Sequence, residues 1–116
     1  MRKVMYAPKA LGDLQGIKTY ISVNFGRDKA KDCVQELTKT VRQLERFPEE
    51  GQRLEELLDY PTVFYYLFVK PNYIFYRIEE DVVRIVRILN ERQDFLQILF
   101  GISSISEEGE EYWEDE

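Results

Sequence analysis

Val82-Val83-Arg84-Ile85-Val86-Arg87-Ile88-Leu89-Asn90-Glu91-Arg92-Gln93-Asp94-Phe95 is an apolar, β-branched run that carries two arginines and then breaks into a polar knot, Asn90 to Asp94. Such composition favours a strand, and a strand end is where a small α+β protein places chemistry. Just before it, Tyr73 to Ile78 has the same character, and Glu79-Glu80-Asp81 between them reads as a tight acidic turn. Val63 to Val69 comes earlier still, separated by the turn residues Pro71-Asn72. Three strands on short turns predict an antiparallel meander. Gln93 to Phe100 then suits a last short helix, with Phe95, Leu96, Leu99 and Phe100 packing.

The register of the last hairpin stays open at this level. If the chain turns through Glu80 and Asp81, Arg77 faces Arg84, which is unfavourable unless an acid sits between them. If all three acids form the loop, Arg77 and Arg87 share a face with Tyr73 and Phe75. In both registers basic and aromatic side chains share one face of the sheet. Arginine suits phosphate and tyrosine stacks on unpaired bases; Arg84 and Lys70 are candidate nucleic-acid contacts on these grounds. The plainer reading is that arginine stems cover apolar surface and their heads reach water. Asn90 or Asp94 equally suits the cap of the following helix, and Asp94 an ion pair with Arg92.

Upstream, Lys3 to Tyr6 is β-compatible and Ala7-Pro8 breaks it, with Pro8 suited to a first helical turn. Leu11, Leu14, Ile17, Ile21 and Phe25 keep steps of three and four, a one-faced helix that Gly26 ends. Gly12 and Gly16 weaken it slightly and suit close packing. Ala30, Cys33, Leu37, Val41 and Leu44 continue the step in a second helix, with Asp28 early and Arg42 and Arg46 late as the macrodipole prefers. Pro48 stops it. Two helices with almost no linker predict an antiparallel hairpin. Glu49 to Pro61 is a polar connector with room for a turn around Leu54, Leu57 and Leu58. The fold class is therefore α+β, in the order β-α-α-β-β-β: an antiparallel sheet packed on a helical hairpin, with a short C-terminal helix. Helices on one face leave the other face wholly or partly exposed.

The chain's 116 residues suffice for one domain with a core, and 44% hydrophobic with 33% charged residues reads as soluble and globular. No apolar run approaches a membrane span, and the N-terminus lacks the apolar stretch of a signal peptide. One cysteine, Cys33, cannot form an internal disulfide, which fits a reducing cytoplasm. The absence of histidine excludes histidine triads and histidine metal sites, so neither metal nor cofactor is expected. The net charge of −6 misleads, because seven acids and no base lie in residues 107–116. Without those seven, 15 acids face 16 bases, a nearly neutral body. Residues 1–101 read as the domain and 102–116 as an acidic tail, a solubilising extension or a segment that folds back on a basic surface.

Tyr6-Ala7-Pro8-Lys9-Ala10, Asp13-Leu14 and Tyr20-Ile21 open a longer pattern. Leu44-Glu45-Arg46-Phe47-Pro48-Glu49 with Gly51, Asn72-Tyr73-Ile74-Phe75-Tyr76-Arg77-Ile78 and Arg87-Ile88-Leu89-Asn90-Glu91-Arg92-Gln93-Asp94-Phe95 complete it. In this order and spacing over residues 3–101, the chain resembles the RelE/ParE superfamily of bacterial type II toxins. The resemblance implies a small toxin neutralised by a cognate antitoxin, in one of three forms. RelE-like members cleave mRNA on the ribosome; ParE-like members poison DNA gyrase; a degenerate member keeps antitoxin binding with little toxicity. The first is the leading expectation here.

Metal-free RNA cleavage needs a base for the 2′-OH, a cation for the phosphate and an acid for the leaving oxygen. The candidate catalytic set is Arg87, Arg77, Asn90, Arg92, Tyr73 and Glu91. Asn90 stands where relatives often carry histidine, and asparagine cannot move protons. Glu91 and Tyr73 ordinarily titrate near about 4.3 and about 10, far from neutrality. A sheet edge or the groove of the helical hairpin would serve an antitoxin, and Tyr65, Tyr66 and Phe68 on the first meander strand are candidate contacts, or else core and edge packing.

Overall fold

The computed structural model describes residues 2–59 and 61–101. Strand β1 (Lys3–Tyr6) leads into helices α1 (Pro8–Phe25) and α2 (Arg27–Arg42). Two 3-10 turns, Gln43–Glu45 and Pro48–Glu50, precede a two-residue strand β2 (Gln52–Arg53) and helix α3 (Leu54–Leu58). The meander follows as β3 (Phe64–Val69), β4 (Asn72–Ile78) and β5 (Val82–Asn90), and α4 (Phe95–Phe100) closes the described chain. The α+β architecture, the helical hairpin and the meander match the sequence reading. The proposed tail lies outside the described residues.

The sheet differs from expectation in two respects. It has five strands in the order β1-β5-β4-β3-β2, and β1 pairs parallel with β5, so the sheet is mixed rather than antiparallel. The helical hairpin carries the chain away from β1, and the open flank of β5 is the site it comes to occupy. β2 adds a short antiparallel edge to β3 through Gln52↔Tyr66 and Arg53↔Tyr65.

The register follows one of the two readings only as far as Tyr76. Arg77 pairs with Arg84 and Tyr76 with Ile85, but Phe75 pairs with Arg87, leaving Val86 as a bulge. A one-residue slip turns a strand's faces over. Val83 and Ile85 therefore face the helices before the bulge and Ile88 after it, all three within the core of Ala10, Leu37, Val41, Leu44, Ile74 and Tyr76.

The second sheet face is not left bare. Phe75 and Leu89 are buried there with Leu54, under Phe64, Tyr66, Tyr73, Phe95, Ile98, Leu99 and Phe100. These two large apolar side chains point away from the hairpin, and α3 and α4 remove them from water. The expected turn around Leu54, Leu57 and Leu58 is α3, which buries Leu54 and leaves Leu57 exposed.

Tyr76 ties the connector to the core. It is fully buried, donates its hydroxyl to the Pro48 carbonyl at 2.8 Å and accepts from the Gly51 N–H at 3.0 Å. Burial pushes its phenol up to about 12.

Candidate functional site

Arg77 and Arg84 face one another across β4 and β5, and a carboxylate does sit between them. Glu79 accepts from Arg77 Nε at 2.7 Å and from Arg84 Nε at 2.9 Å. Hydrogen bonds from Arg84 and then Arg77 hold its carboxyl at about 2, against an ordinary value of 4.5. A carboxyl with a depressed folded value stabilises the fold above its unfolded value, and that contribution is lost as pH falls through the folded one. Acid unfolding is thus expected to steepen between pH 4.5 and about 2. Glu79→Gln should flatten that limb; an unchanged limb would count against the bridge.

Arg87 is engaged more completely. Beyond Tyr6↔Ile85, β1 has turned into α1, and Asp13 takes the place of the missing strand. Its Oδ2 accepts from the Ile88 backbone N–H at 2.9 Å and from Arg87 Nε at 2.8 Å, while Oδ1 accepts from Arg87 Nη2 at 2.9 Å. The pair is largely buried, with side-chain exposures of 20% and 14%. A bidentate carboxylate of this kind neutralises the guanidinium and fixes its plane.

The polar knot is a turn held by its own side chains. Asn90 Oδ1 accepts from the Arg92 N–H at 2.9 Å, and Gln93 Oε1 accepts from the Asn90 N–H at 2.7 Å. Asp94 caps α4 by accepting from the Gln97 N–H at 3.2 Å. Arg92, Glu91 and Lys70 are exposed, and none of the three forms an ion pair among the described residues. Tyr73 lies half-buried among rings, 4.7 Å from Phe68 and 5.9 Å from Phe75.

The sequence-derived set is thus divided. Asn90, Glu91 and Arg92 share one turn; Arg87 lies behind it against α1; Arg77 and Arg84 lie toward the far end of β4 and β5. The antitoxin candidates split by face as well. Tyr65 stacks on Tyr76 at 5.4 Å on the helical side, whereas Tyr66 joins Tyr73 on the other.

Next to the knot lies a groove of the helical hairpin, a place the sequence reading offered to an antitoxin without naming its lining. A groove of about 640 Å³ runs between the helical hairpin and the end of the sheet. Gly12, Gly16, Ile17, Tyr20 and Phe25 line one side, and Pro71, Asn72 and Asn90 lie on the other. Gly12 and Gly16 do not pack closely, contrary to expectation; a Cβ on either would meet nothing within 4 Å. Tyr20 and Phe25 remain exposed on its rim. The signal was present as glycines spaced on one helix face, but a sequence cannot say whether such a face is filled. Because the space is open and a helical glycine is less favourable than alanine, Gly16→Ala is expected to stabilise the fold by about 0.5–1 kcal/mol. Chemical denaturation checks this; a loss of stability would show that the groove is closed.

A small sheet under a helical hairpin is the architecture that the RelE/ParE resemblance implies. Residues 4–95 match the family model described as ParE toxin of type II toxin-antitoxin system, parDE. The chain belongs to the ParE toxin family. A solved structure from the chromosomal ParDE TA system of P. aeruginosa has the same fold, with a TM-score of 0.67 at 24% identity over 78% of this chain and 96% of that one. No curated protein sequence matches. A cognate antitoxin is accordingly its partner.

Proposed function

We propose that the toxin arrests growth by binding DNA gyrase, not by cutting mRNA, and that it does so in the cytoplasm. The observation that carries this reading is the commitment of Arg87 to Asp13, which removes the central cation of the candidate catalytic set. Asn90 is likewise occupied in its turn, and histidine is absent. Phosphate-bond cleavage needs groups that gain and lose protons near neutrality, and the turn offers Glu91 and Arg92 alone. Membership of the ParE family supports the same choice, since gyrase poisoning is what the resemblance to ParE-like members implies. No helix among the described residues is long and apolar enough to cross a membrane.

The antitoxin is proposed to lay an apolar helix face into the groove of Gly12, Gly16, Tyr20 and Phe25, where close backbone approach is possible. Inducing the toxin without its antitoxin tests the target. Inhibited supercoiling by purified gyrase, DNA breaks and an SOS response are expected. Ribosome-dependent cleavage ends in mRNA, with supercoiling intact, would restore the interferase reading. Normal growth on induction would mark a degenerate member. Gly16→Trp should keep toxicity while abolishing neutralisation if the antitoxin uses the groove.

A further inference from the structure

We propose that the acidic segment 107–116 is an intramolecular ligand for the chain's own aromatic sheet face, docking Tyr112 and Trp113 on Tyr66, Phe68 and Tyr73. The receiving surface is the end of the second sheet face that α4 leaves uncovered. Phe68 and Tyr73 are cross-strand partners with ring centroids 4.7 Å apart, and Tyr66 lies 5.9 Å from Tyr73. Phe95 from α4 reaches Tyr73 at 6.2 Å, yet Phe68 keeps 45% of its surface exposed. Offset and edge-on ring packing of this kind adds to the attraction that the buried area alone supplies.

The rim supplies cations. Glu91 donates its backbone N–H to the Pro71 carbonyl at 2.8 Å, which sets the Lys70–Pro71 and Asn90–Arg92 turns side by side. Lys70 and Arg92 are exposed there without an ion pair among the described residues. Glu91 and Asp94 share this end, and Asp94 is committed to the Gln97 N–H. Ring contact is therefore the main attraction and charge a secondary one.

The occupant is fixed by where the described chain ends. α4 packs on this same face, with Phe100 5.8 Å from Phe64, and Gly101 follows it in the left-handed region. Trp113 lies twelve positions beyond Gly101, an extended reach of about 40 Å. Phe64 and Phe68 lie four residues apart on β3, about 13 Å, so the tether exceeds the distance about threefold. Tethering of this length gives an effective concentration on the order of millimolar, so weak ring contacts suffice. Glu110, Glu111, Glu114 and Asp115 flank the two rings and meet the rim cations. Docking would shield a patch that combines rings with cations lacking an ion pair among the described residues. The inference does not depend on the cellular target.

Trp113 is the only tryptophan in the chain and reports on the segment directly. In the purified full chain its emission should be blue-shifted, and less quenched by acrylamide, than in a free peptide of residues 102–116. Phe68→Ser should return both readings to those of the peptide, with circular dichroism confirming the fold. Where Phe68→Ser fails to fold, the surface pair Lys70→Glu/Arg92→Glu takes its place and should move both readings part of the way toward those of the peptide. A full chain whose Trp113 behaves as in the peptide overturns the proposal. So does a protected Trp113 that the substitution leaves unchanged.

Discussion

Asp13→Ala is expected to destabilise the protein by about 2–4 kcal/mol, a large part of the margin of a domain this size. Removing the carboxylate strands two groups at once: the Arg87 guanidinium and the Ile88 N–H. Breaking a fully buried ion pair costs about 3–5 kcal/mol because an uncompensated charge is left behind. The 20% and 14% exposures of this pair let water return and lower the figure. Asp13→Asn keeps an acceptor for Ile88 and should lose about half as much. Arg87→Ala leaves Asp13 with its backbone partner and a solvent path, so it should cost less than Asp13→Ala. Urea unfolding of the three variants gives the order. If Arg87→Ala proved the most damaging, the pair would not be the strap between α1 and β5 described here. The same series separates fold from toxicity, since an Arg87→Ala variant that stays folded yet loses toxicity would give the guanidinium a direct role.

Gly51→Ala should cost at least about 2 kcal/mol. A Cβ there would lie 2.5 Å from the Tyr76 hydroxyl and 2.7 Å from the Tyr66 carbonyl oxygen. The backbone of Gly51, at φ −74° and ψ 177°, suits alanine, so the penalty is steric and not conformational. Tyr76→Phe removes the hydroxyl and its two hydrogen bonds, with an expected loss of about 1–3 kcal/mol. The double variant relieves the shorter clash, so its loss should be smaller than the sum of the singles. Additive losses would mean that the connector shifts away from Tyr76 in Gly51→Ala. Amide exchange localised to Gln52 and Arg53 would show β2 detaching first.

The meander and the helical hairpin were legible because alternating and helical periods are local properties of the chain. The parallel pairing of β1 was not, because which strand it joins is decided by where the hairpin returns the chain. β2 was invisible for another reason: two residues carry no period. The second core layer was half legible, in that Phe95, Leu99 and Leu54 were marked as apolar, but the need to cover Phe75 and Leu89 emerges only once their face is known. In the site, the sequence marked Arg77 and Arg84 as needing an acid between them, and Glu79 is that acid. Asp13 appeared within a recognisable pattern, yet nothing local ties it to an arginine 74 positions away. The groove was least legible of all, since empty space has no residues of its own.

Val86 gives β5 a property that no alternating pattern can express. Its residues obey opposite parity on either side of that position, odd numbers facing the helices before it and even numbers after. The strand is thereby phased as two short segments in one backbone, and Val86 is the one residue whose loss would leave both phases unchanged. Without Val86, Ile85, Arg87 and Ile88 would sit opposite Tyr76, Phe75 and Ile74 in one regular ladder, and Val83, Ile85 and Ile88 would all keep facing the helices.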